Sequence, residues 1–207
     1  MKQNLIYRIL STLIFGPLII YIIYHGDFLY IALLSFLFLL GLYEIYKLNV
    51  FIIKFLILVS FLSFIYCLYK IRILENGNYY VFTIVLITWL SDIGGYIFGK
   101  LFRGPKIKII SPNKTYTGFI GSLLTVQFLI FFLNDLNMNI HLSKTLNIFF
   151  LLSMSLIVIL GDLTFSYFKR VCKIKDFSNI IPGHGGIFDR VDGMIFLTIF
   201  FYLYLIL

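Results

Sequence analysis

The sequence is poor in charge. Charged residues make up only 13% of its 207 residues, whereas hydrophobic residues make up 61%. Together with a mean hydropathy of +1.01, this composition excludes an ordinary soluble fold. Several apolar runs are long enough to cross a bilayer, which takes about 20 residues. The chain is therefore predicted to be an integral membrane protein.

Cysteine is also scarce. The two cysteines are Cys67, within an apolar run, and Cys172, within a basic segment. This pair provides neither a disulfide framework nor a metal-binding C-x-x-C spacing, which argues against redox chemistry. Internal repeats and the ten-residue alternation of a membrane barrel are lacking as well, so a helix bundle is the expected architecture.

Apolar runs separated by polar residues predict an all-α membrane protein, a polytopic bundle of about seven transmembrane helices. We expect a single membrane domain over residues 1–207, with the helices of residues 1–75 as scaffold and residues 79–207 as the catalytic part. The first run lacks a small-residue cleavage site, so we interpret it as a retained helix. The predicted spans are 5–24, 28–46, 50–69, 79–99, 117–133, 146–166 and 191–207.

The basic residues predict the orientation. With the N-terminus in the cytoplasm, all of the 17 Lys and Arg residues except Lys70, Arg72 and Lys144 lie on the cytoplasmic side. This distribution follows the positive-inside rule. Both long polar connections, residues 100–116 and 167–190, are then cytoplasmic.

An ionisable side chain stands within the fourth apolar run. Asp92, Tyr96 and Gly99 share one helix face because they are spaced at i, i+4 and i+7. Charge within a span is costly, and it indicates a ligand or metal contact in a polar cavity. The alternative is an inter-helix hydrogen bond supported by close glycine packing.

The connection after this run is basic. Five cations and no acidic residue lie between residues 100 and 117. This composition fits anion binding, with Ser111, Lys114 and Thr115 as substrate contacts. It equally fits a positive-inside loop that lies against anionic lipid headgroups.

A third cluster surrounds the second long connection. Asp162, Ser166 and Lys169 repeat at i, i+4 and i+7, so they line one side of the sixth helix. Glycines near the start of the last helix allow backbone N–H groups to approach a phosphate. Two carboxylates then follow at i, i+3, Asp189 and Asp192.

These carboxylates suit a hard cation. Magnesium takes one or two protein carboxylates and completes its shell with water and substrate phosphate oxygens. Asp162, Asp189 and Asp192 are the predicted ligands, with Asp92 as a further candidate. His184, in the glycine-rich turn, is predicted to contact substrate rather than to act as a general acid or base.

The second connection carries an extended pattern: Ser166-x-Phe168-Lys169-Arg170, Lys175-Asp176-x-Ser178, and Pro182-Gly183-His184-Gly185-Gly186-x-x-Asp189-Arg190-x-Asp192. It resembles the signature of the phosphatidate cytidylyltransferase family. Two upstream segments, Ser91-Asp92 to Gly99-Lys100 and Ser111-Pro112-Asn113-Lys114-Thr115, are similar to further family motifs. The resemblance covers most of residues 88–193.

The resemblance implies an enzyme of phospholipid biosynthesis, in which CTP and phosphatidate give CDP-diacylglycerol and pyrophosphate. It implies Mg²⁺ as cofactor and leaves a second cation open. The implied catalytic residues are Asp162, Lys169, Asp189 and Asp192. The implied substrate contacts are Ser111, Lys114, Thr115, Ser166, Arg170, Lys175, His184, Gly185, Gly186 and Arg190.

Further expectations concern partners and location. We expect membrane lipid but no nucleic acid as a partner, a homodimer, and a bacterial inner membrane with the active site facing the cytoplasm. The family pattern has an acidic residue where this chain has Thr117. The chain is also shorter than typical members, and we expect the difference to lie in N-terminal helices rather than in the active site.

Two other functions are alternatives for this sequence. A CTP-dependent lipid-alcohol kinase of the same superfamily would transfer the γ-phosphate and release CDP. An anion transporter would use the basic loops as a vestibule and Asp92 in a gate. The carboxylates cluster at cytoplasmic helix ends rather than at mid-membrane, which favours chemistry on a headgroup over transport.

Overall fold

A computed structural model describes residues 16–107, 114–132, 144–180 and 185–207. These residues form seven α-helices, a short 3₁₀-helix (Gln127–Phe131) and no β-strand, apart from an isolated antiparallel bridge between Lys106 and Thr115. The first helix is described from Gly16 to His25. In chain order the helices are α1 (Gly16–His25), α2 (Asp27–Tyr46), α3 (Phe51–Ile73), α4 (Gly77–Phe102), α5 (Tyr116–Val126), α6 (Lys144–Val171) and α7 (Phe188–Ile206).

The predicted all-α bundle of seven helices is confirmed. Four helices, α2, α3, α4 and α6, are long and apolar enough to cross a membrane. The predicted ends are less accurate: α4 continues to Phe102 and α6 to Val171, each past its predicted end into basic residues. A basic last turn stabilises the negative end of the helix dipole, so these helices extend beyond their apolar runs.

The first part of the bundle is a pair of antiparallel helices. Arg72 near the end of α3 donates to Asp27 at the start of α2 over 2.8 Å. The Tyr30 hydroxyl donates to the Leu68 carbonyl oxygen over 3.2 Å, deeper in the same pair. The ring of Phe61 in α3 contacts the ring of Phe188, at a centroid distance of 5.0 Å. The N-terminal helices therefore pack directly against the start of α7.

Glycines bring α4 and α5 into backbone contact. A Cβ atom at Gly94 would lie 2.6 Å from the Gly121 carbonyl oxygen, and one at Gly118 would lie 2.7 Å from the Gly95 carbonyl oxygen. Hydroxyls close the same interface, because Ser122 donates to the Ser91 carbonyl oxygen over 2.7 Å. Small residues and hydroxyls are the usual means of close helix packing in membranes. The close glycine packing that the alternative interpretation of Asp92 includes is therefore present, whereas the role of Asp92 itself stays a prediction.

Gly94→Ala is expected to destabilise the protein by about 1–3 kcal/mol, because the added methyl meets backbone that cannot move independently. Thermal unfolding of the detergent-solubilised protein measures the effect. Gly16→Ala is the matched control, since its Cβ would lie 3.7 Å from the Trp89 ring, an ordinary contact. Equal stability of both variants would contradict the close-packing account.

A second pair, α6 and α7, is packed in the same way. A Cβ atom at Gly161 would lie 3.0 Å from the Asp192 carbonyl oxygen, and one at Gly193 would lie 2.9 Å from the Val158 carbonyl oxygen. Because Gly161 precedes Asp162 and Gly193 follows Asp192, this contact also brings the two carboxylate-bearing positions close together.

Candidate active site

One face of α6 carries the charged residues of the site. The helix is unbroken from Lys144 to Val171, so Asp162, Ser166 and Lys169 do lie on one side of it. Asp162 is half-buried, Ser166 is buried, and Lys169 is half-buried near the end of the helix. A carboxylate, a hydroxyl and an ammonium group thus follow one another along two turns.

Lys169 and Asp189 form an ion pair between α6 and α7. The Lys169 Nζ donates to Asp189 Oδ1 over 2.7 Å. The other oxygen, Oδ2, accepts from the backbone N–H of Phe177 at 2.9 Å and from that of Gly186 at 3.0 Å. Only 6% of the Asp189 side chain is exposed. This carboxylate therefore joins the loop after α6, the turn before α7 and the Lys169 ammonium group.

A second ion pair joins Lys114, just before α5, to Asp162 of α6. Lys114 is placed by Thr115, whose hydroxyl caps α5 by accepting from the Gly118 N–H over 3.1 Å. The Thr117 hydroxyl lies 3.1 Å from that of Thr115 and accepts from the Gly104 N–H over 3.2 Å. Thr117, at the position where the family pattern has an acidic residue, therefore anchors the end of the basic connection.

Three carboxylates from three helices interact with one another. Asp92 of α4 lies within electrostatic range of Asp162, Lys114 and Arg190. Asp192 of α7 interacts with Asp162, Asp92 and Lys169, and its Oδ1 accepts from the Gly193 N–H over 2.8 Å. Asp92, Lys114 and Asp162 therefore lie within electrostatic range of one another, with Asp192 at the α7 side of this group.

The carboxylates of this site suit a hard divalent cation. In the described ranges, no three His, Cys, Asp or Glu side chains converge closely enough to form a complete metal-binding cluster. Magnesium does not require one, because one or two carboxylates are sufficient when substrate phosphates complete its shell. The carboxylates of Asp162 and Asp192 lie within electrostatic range of each other and supply only oxygen donors, which fits this demand.

The sequence predicts Asp189 as a metal ligand, but its observed contacts are with hydrogen-bond donors of the protein. Both its oxygens already accept hydrogen bonds, one of them from the Lys169 ammonium group. A metal role for Asp189 stays a prediction, and the observed contacts make it the partner that positions Lys169. The i, i+3 spacing with Asp192 brings the two side chains to the same end of α7, where they accept hydrogen bonds from different donors.

The remaining predicted contacts are spread along the site. Arg170 and Lys175 are exposed, and Arg190 is exposed in the first turn of α7. Gly185 has φ of +85°, a conformation that favours glycine. The Gly186 N–H, which the sequence predicts to contact a phosphate, donates a hydrogen bond to Asp189 Oδ2. Ser111 and His184 lie outside the described residues.

Sequence reasoning missed Glu44. This residue belongs to α2, in the part predicted to be scaffold, yet its carboxylate is completely buried against Ser178 and the start of α7. An ionisable residue inside an apolar run is a signal of function. That signal was present in the span 28–46 and could have led to Glu44.

Comparison with known proteins places these residues in a family context. Residues 46–207 match the cytidylyltransferase family. A phosphatidate cytidylyltransferase of Staphylococcus haemolyticus (strain JCSC1435) is 44% identical over 126 residues, which cover 59% of this chain and 47% of that protein. One from Staphylococcus aureus (strain COL) is 43% identical over 126 residues, with the same coverage.

A third relative, the phosphatidate cytidylyltransferase of Staphylococcus saprophyticus, is 40% identical over 139 residues, covering 65% of this chain and 51% of that protein. The chain spans about half the length of the curated relatives it matches.

Proposed function

The chain belongs to the cytidylyltransferase family, and from this premise we propose that it catalyses the reaction for which its relatives are named. CTP and phosphatidate would react to give CDP-diacylglycerol and pyrophosphate. The observation that carries the proposal is the meeting of two lysines, Lys114 and Lys169, with the carboxylates of α4, α6 and α7 at one place.

Electrostatics sets the main demand of this reaction. Both substrates are polyanions, so their mutual repulsion must be offset before their phosphorus and oxygen atoms can approach. The lipid phosphate is a monoester whose second pKa is about 6, and it is therefore largely ionised at neutral pH. The nucleophile needs no strong general base, and positioning together with charge stabilisation accounts for catalysis.

In the proposed step, an oxygen of the lipid phosphate forms a bond to the α-phosphorus of CTP. The bond from that phosphorus to the bridging oxygen breaks, and the electron pair leaves with pyrophosphate. Lys114 pairs with Asp162, and Lys169 pairs with Asp189. These lysines can bind phosphate oxygens and offset the charge that builds up on the leaving group.

Magnesium is the proposed cofactor. When bound, it would supply charge neutralisation to the phosphates. Asp162 and Asp192 would hold it, with Asp92 as a further ligand, since these carboxylates of α4, α6 and α7 lie within electrostatic range of one another. Asp189, whose two oxygens accept from Lys169 and from two backbone N–H groups, would position Lys169.

A groove fits the lipid part of the substrate. It is lined by apolar side chains and two serine hydroxyls from α3, α6 and α7. One of its walls is Phe168, the neighbour of Lys169 along α6. An acyl chain of phosphatidate lying in the groove would have its phosphate near the Lys169 end of the helix.

The four long apolar helices and the family make the chain an integral membrane protein. We further propose a bacterial inner membrane, in keeping with the staphylococcal relatives, and an active site on the cytoplasmic side, where the positive-inside rule places Lys114 and Lys169. The homodimer stays a prediction.

Incubation of the purified chain with phosphatidate and CTP labelled at the α-phosphorus tests the proposal. We expect labelled CDP-diacylglycerol and unlabelled pyrophosphate in equal amounts. Removal of divalent cations by a chelator should abolish turnover, and Mg²⁺ should restore it. In a parallel incubation with a lipid alcohol in place of phosphatidate, release of labelled CDP with phosphorylated lipid would instead indicate the kinase. Failure to consume CTP in both incubations would refute both enzymes.

A further inference from the structure

Glu44 occupies a position that is unfavourable for a carboxylate by itself. It lies in the last turn of α2, where the helix dipole repels negative charge. It is also 0% exposed, and a buried charge is costly unless hydrogen bonds compensate it. Such a residue needs compensation from outside its own helix.

The compensation comes from the segment before α7. Glu44 Oε1 accepts from the Ser178 hydroxyl over 2.6 Å and from the Ile187 N–H over 2.7 Å, and Oε2 accepts from the Phe188 N–H over 3.1 Å. All three donors are uncharged. Two of them are backbone groups at the positive end of the α7 dipole, which favours an anion there.

Glu44 acts as the missing cap of α7. The N-cap position is Ile187, which makes no capping bond with its own side chain and has no polar atom with which to do so. A serine or aspartate at this position would accept from the N–H of the second or third helical residue, whereas the carboxylate from α2 accepts from the N–H groups of Ile187 itself and of Phe188, the first helical residue. The start of α7 is thus tied to a distant helix rather than to its own sequence.

Gly186 provides the space for this contact. A Cβ atom at Gly186 would lie 2.6 Å from Glu44 Oε1 and 2.8 Å from Oε2. The N–H of the same glycine donates to Asp189 Oδ2, whose other oxygen binds Lys169. The contacts therefore run from Glu44 through the turn at residues 186–188 to Asp189 and Lys169.

We propose that Glu44 is a positioning residue of the active site: its buried carboxylate holds the turn before α7, and so sets the place of Asp189 and the Lys169 ammonium group. This inference deepens the proposed function and rests on it for its kinetic part. Glu44 lies outside the matched residues 46–207, and it touches Lys169 only through the turn and Asp189.

Glu44→Gln tests the proposal with little change in volume. A glutamine oxygen can still accept from Ser178 and Ile187, but its NH₂ group would face the Phe188 N–H, donor against donor. We expect the turn to shift and the KM for at least one substrate to rise about tenfold, since displacements of about 1 Å can cost up to a hundredfold. Loss of folded protein alone would lower the apparent kcat but leave KM unchanged.

Asp27→Asn is the matched control. It removes a carboxylate from the other end of α2, where the Asp27 side chain is 89% exposed and pairs with Arg72. Loss of such a surface pair costs about 0–1 kcal/mol. We expect KM values equal to those of the unaltered chain. Glu44→Asp keeps the charge on a shorter side chain, so its KM should lie between those of Glu44→Gln and the unaltered chain.

The two native cysteines provide a readout that does not require activity. Cys172 is buried at the start of the loop that leads to Ser178, and Cys67 is buried within α3. In detergent, Glu44→Gln should raise the rate of Cys172 alkylation at least about fivefold in a Cys67→Ser background, because the loop opens locally. The rate at Cys67, measured in a Cys172→Ser background, should stay the same.

The outcomes separate the two claims. Unchanged KM values with unchanged Cys172 alkylation would overturn the role of Glu44, and so would an equal rise at both cysteines with KM unaltered, which is general destabilisation. If the unaltered chain forms no CDP-diacylglycerol, the proposed function fails. The comparison of Cys172 with Cys67 then still decides whether Glu44 holds the loop.

Discussion

Lys169→Met is expected to lower the rate of CDP-diacylglycerol formation by about 10²–10³-fold, the range observed when one preorganised group that stabilises developing charge is removed. Methionine keeps most of the side-chain volume but removes the ammonium group that pairs with Asp189 at 2.7 Å. The loss has two components, because the phosphates lose a cation and Asp189 is left buried without its counter-ion. The initial rate at saturating CTP and phosphatidate measures the sum.

A double variant separates these components. Removing one partner of a buried pair costs about 3–5 kcal/mol of stability. Lys169→Met combined with Asp189→Asn removes both charges, so thermal stability should largely return. Turnover should stay low, because the cation is still missing. Lys173→Met, which removes an exposed cation from the turn after α6, is the control and should retain normal turnover. Recovery of turnover in the double variant would contradict a direct role for Lys169 on substrate.

Asp162→Asn should have the second large effect. The substitution removes the partner of Lys114 and a proposed magnesium ligand in a single step. Loss of a group that supports a metal site typically costs about 10–100-fold in metal affinity or activity. We expect turnover to fall by about a hundredfold, and the Mg²⁺ concentration for half-maximal rate to rise at least about tenfold.

A titration of turnover with Mg²⁺ checks this expectation. Glu75→Gln, in the turn between α3 and α4, removes the same charge at the opposite end of the helices and should leave the titration unchanged. If Asp162→Asn lowered turnover at every Mg²⁺ concentration by the same factor, Asp162 would be a positioning partner of Lys114 and not a metal ligand.

Apolar periodicity and length were sufficient to predict the helices but not their ends. The run that predicts a span over 146–166 ends before Tyr167, whereas α6 continues through Lys169 and Arg170 to Val171. Hydropathy measures where side chains prefer lipid, and a helix can continue into water for another turn at no cost in backbone hydrogen bonds. Lys169 lies on this extra turn, so only the structure establishes that it shares a helix face with Asp162 and Ser166.

Local spacing predicts side chains on one helix and misses contacts between distant ones. Asp162, Ser166 and Lys169 could be grouped because i, i+4 and i+7 share a face. Glu44 contacts Ser178, which is 134 residues away along the chain, and no local pattern relates two such positions. The charge at residue 44 was visible in the sequence, but its partner was not.

Gly186 illustrates another limit of prediction from the sequence. A glycine beside a phosphate-binding turn indicates close approach of the backbone to some group, and the sequence interpretation assigned that group to the substrate. In the structure the space of the missing side chain is taken by the Glu44 carboxylate. Absence of Cβ predicts a close neighbour correctly, but the residue type alone does not say which neighbour it is.

The glycine contacts have a mechanical consequence. The helix backbones are in close contact between α4 and α5 and again between α6 and α7, so we expect each pair to move as one rigid unit. The Lys114–Asp162 ion pair connects the two helix pairs. A phosphate that attracts Lys114 competes with this ion pair. We therefore expect the site to widen by displacement of the α4–α5 pair relative to the α6–α7 pair.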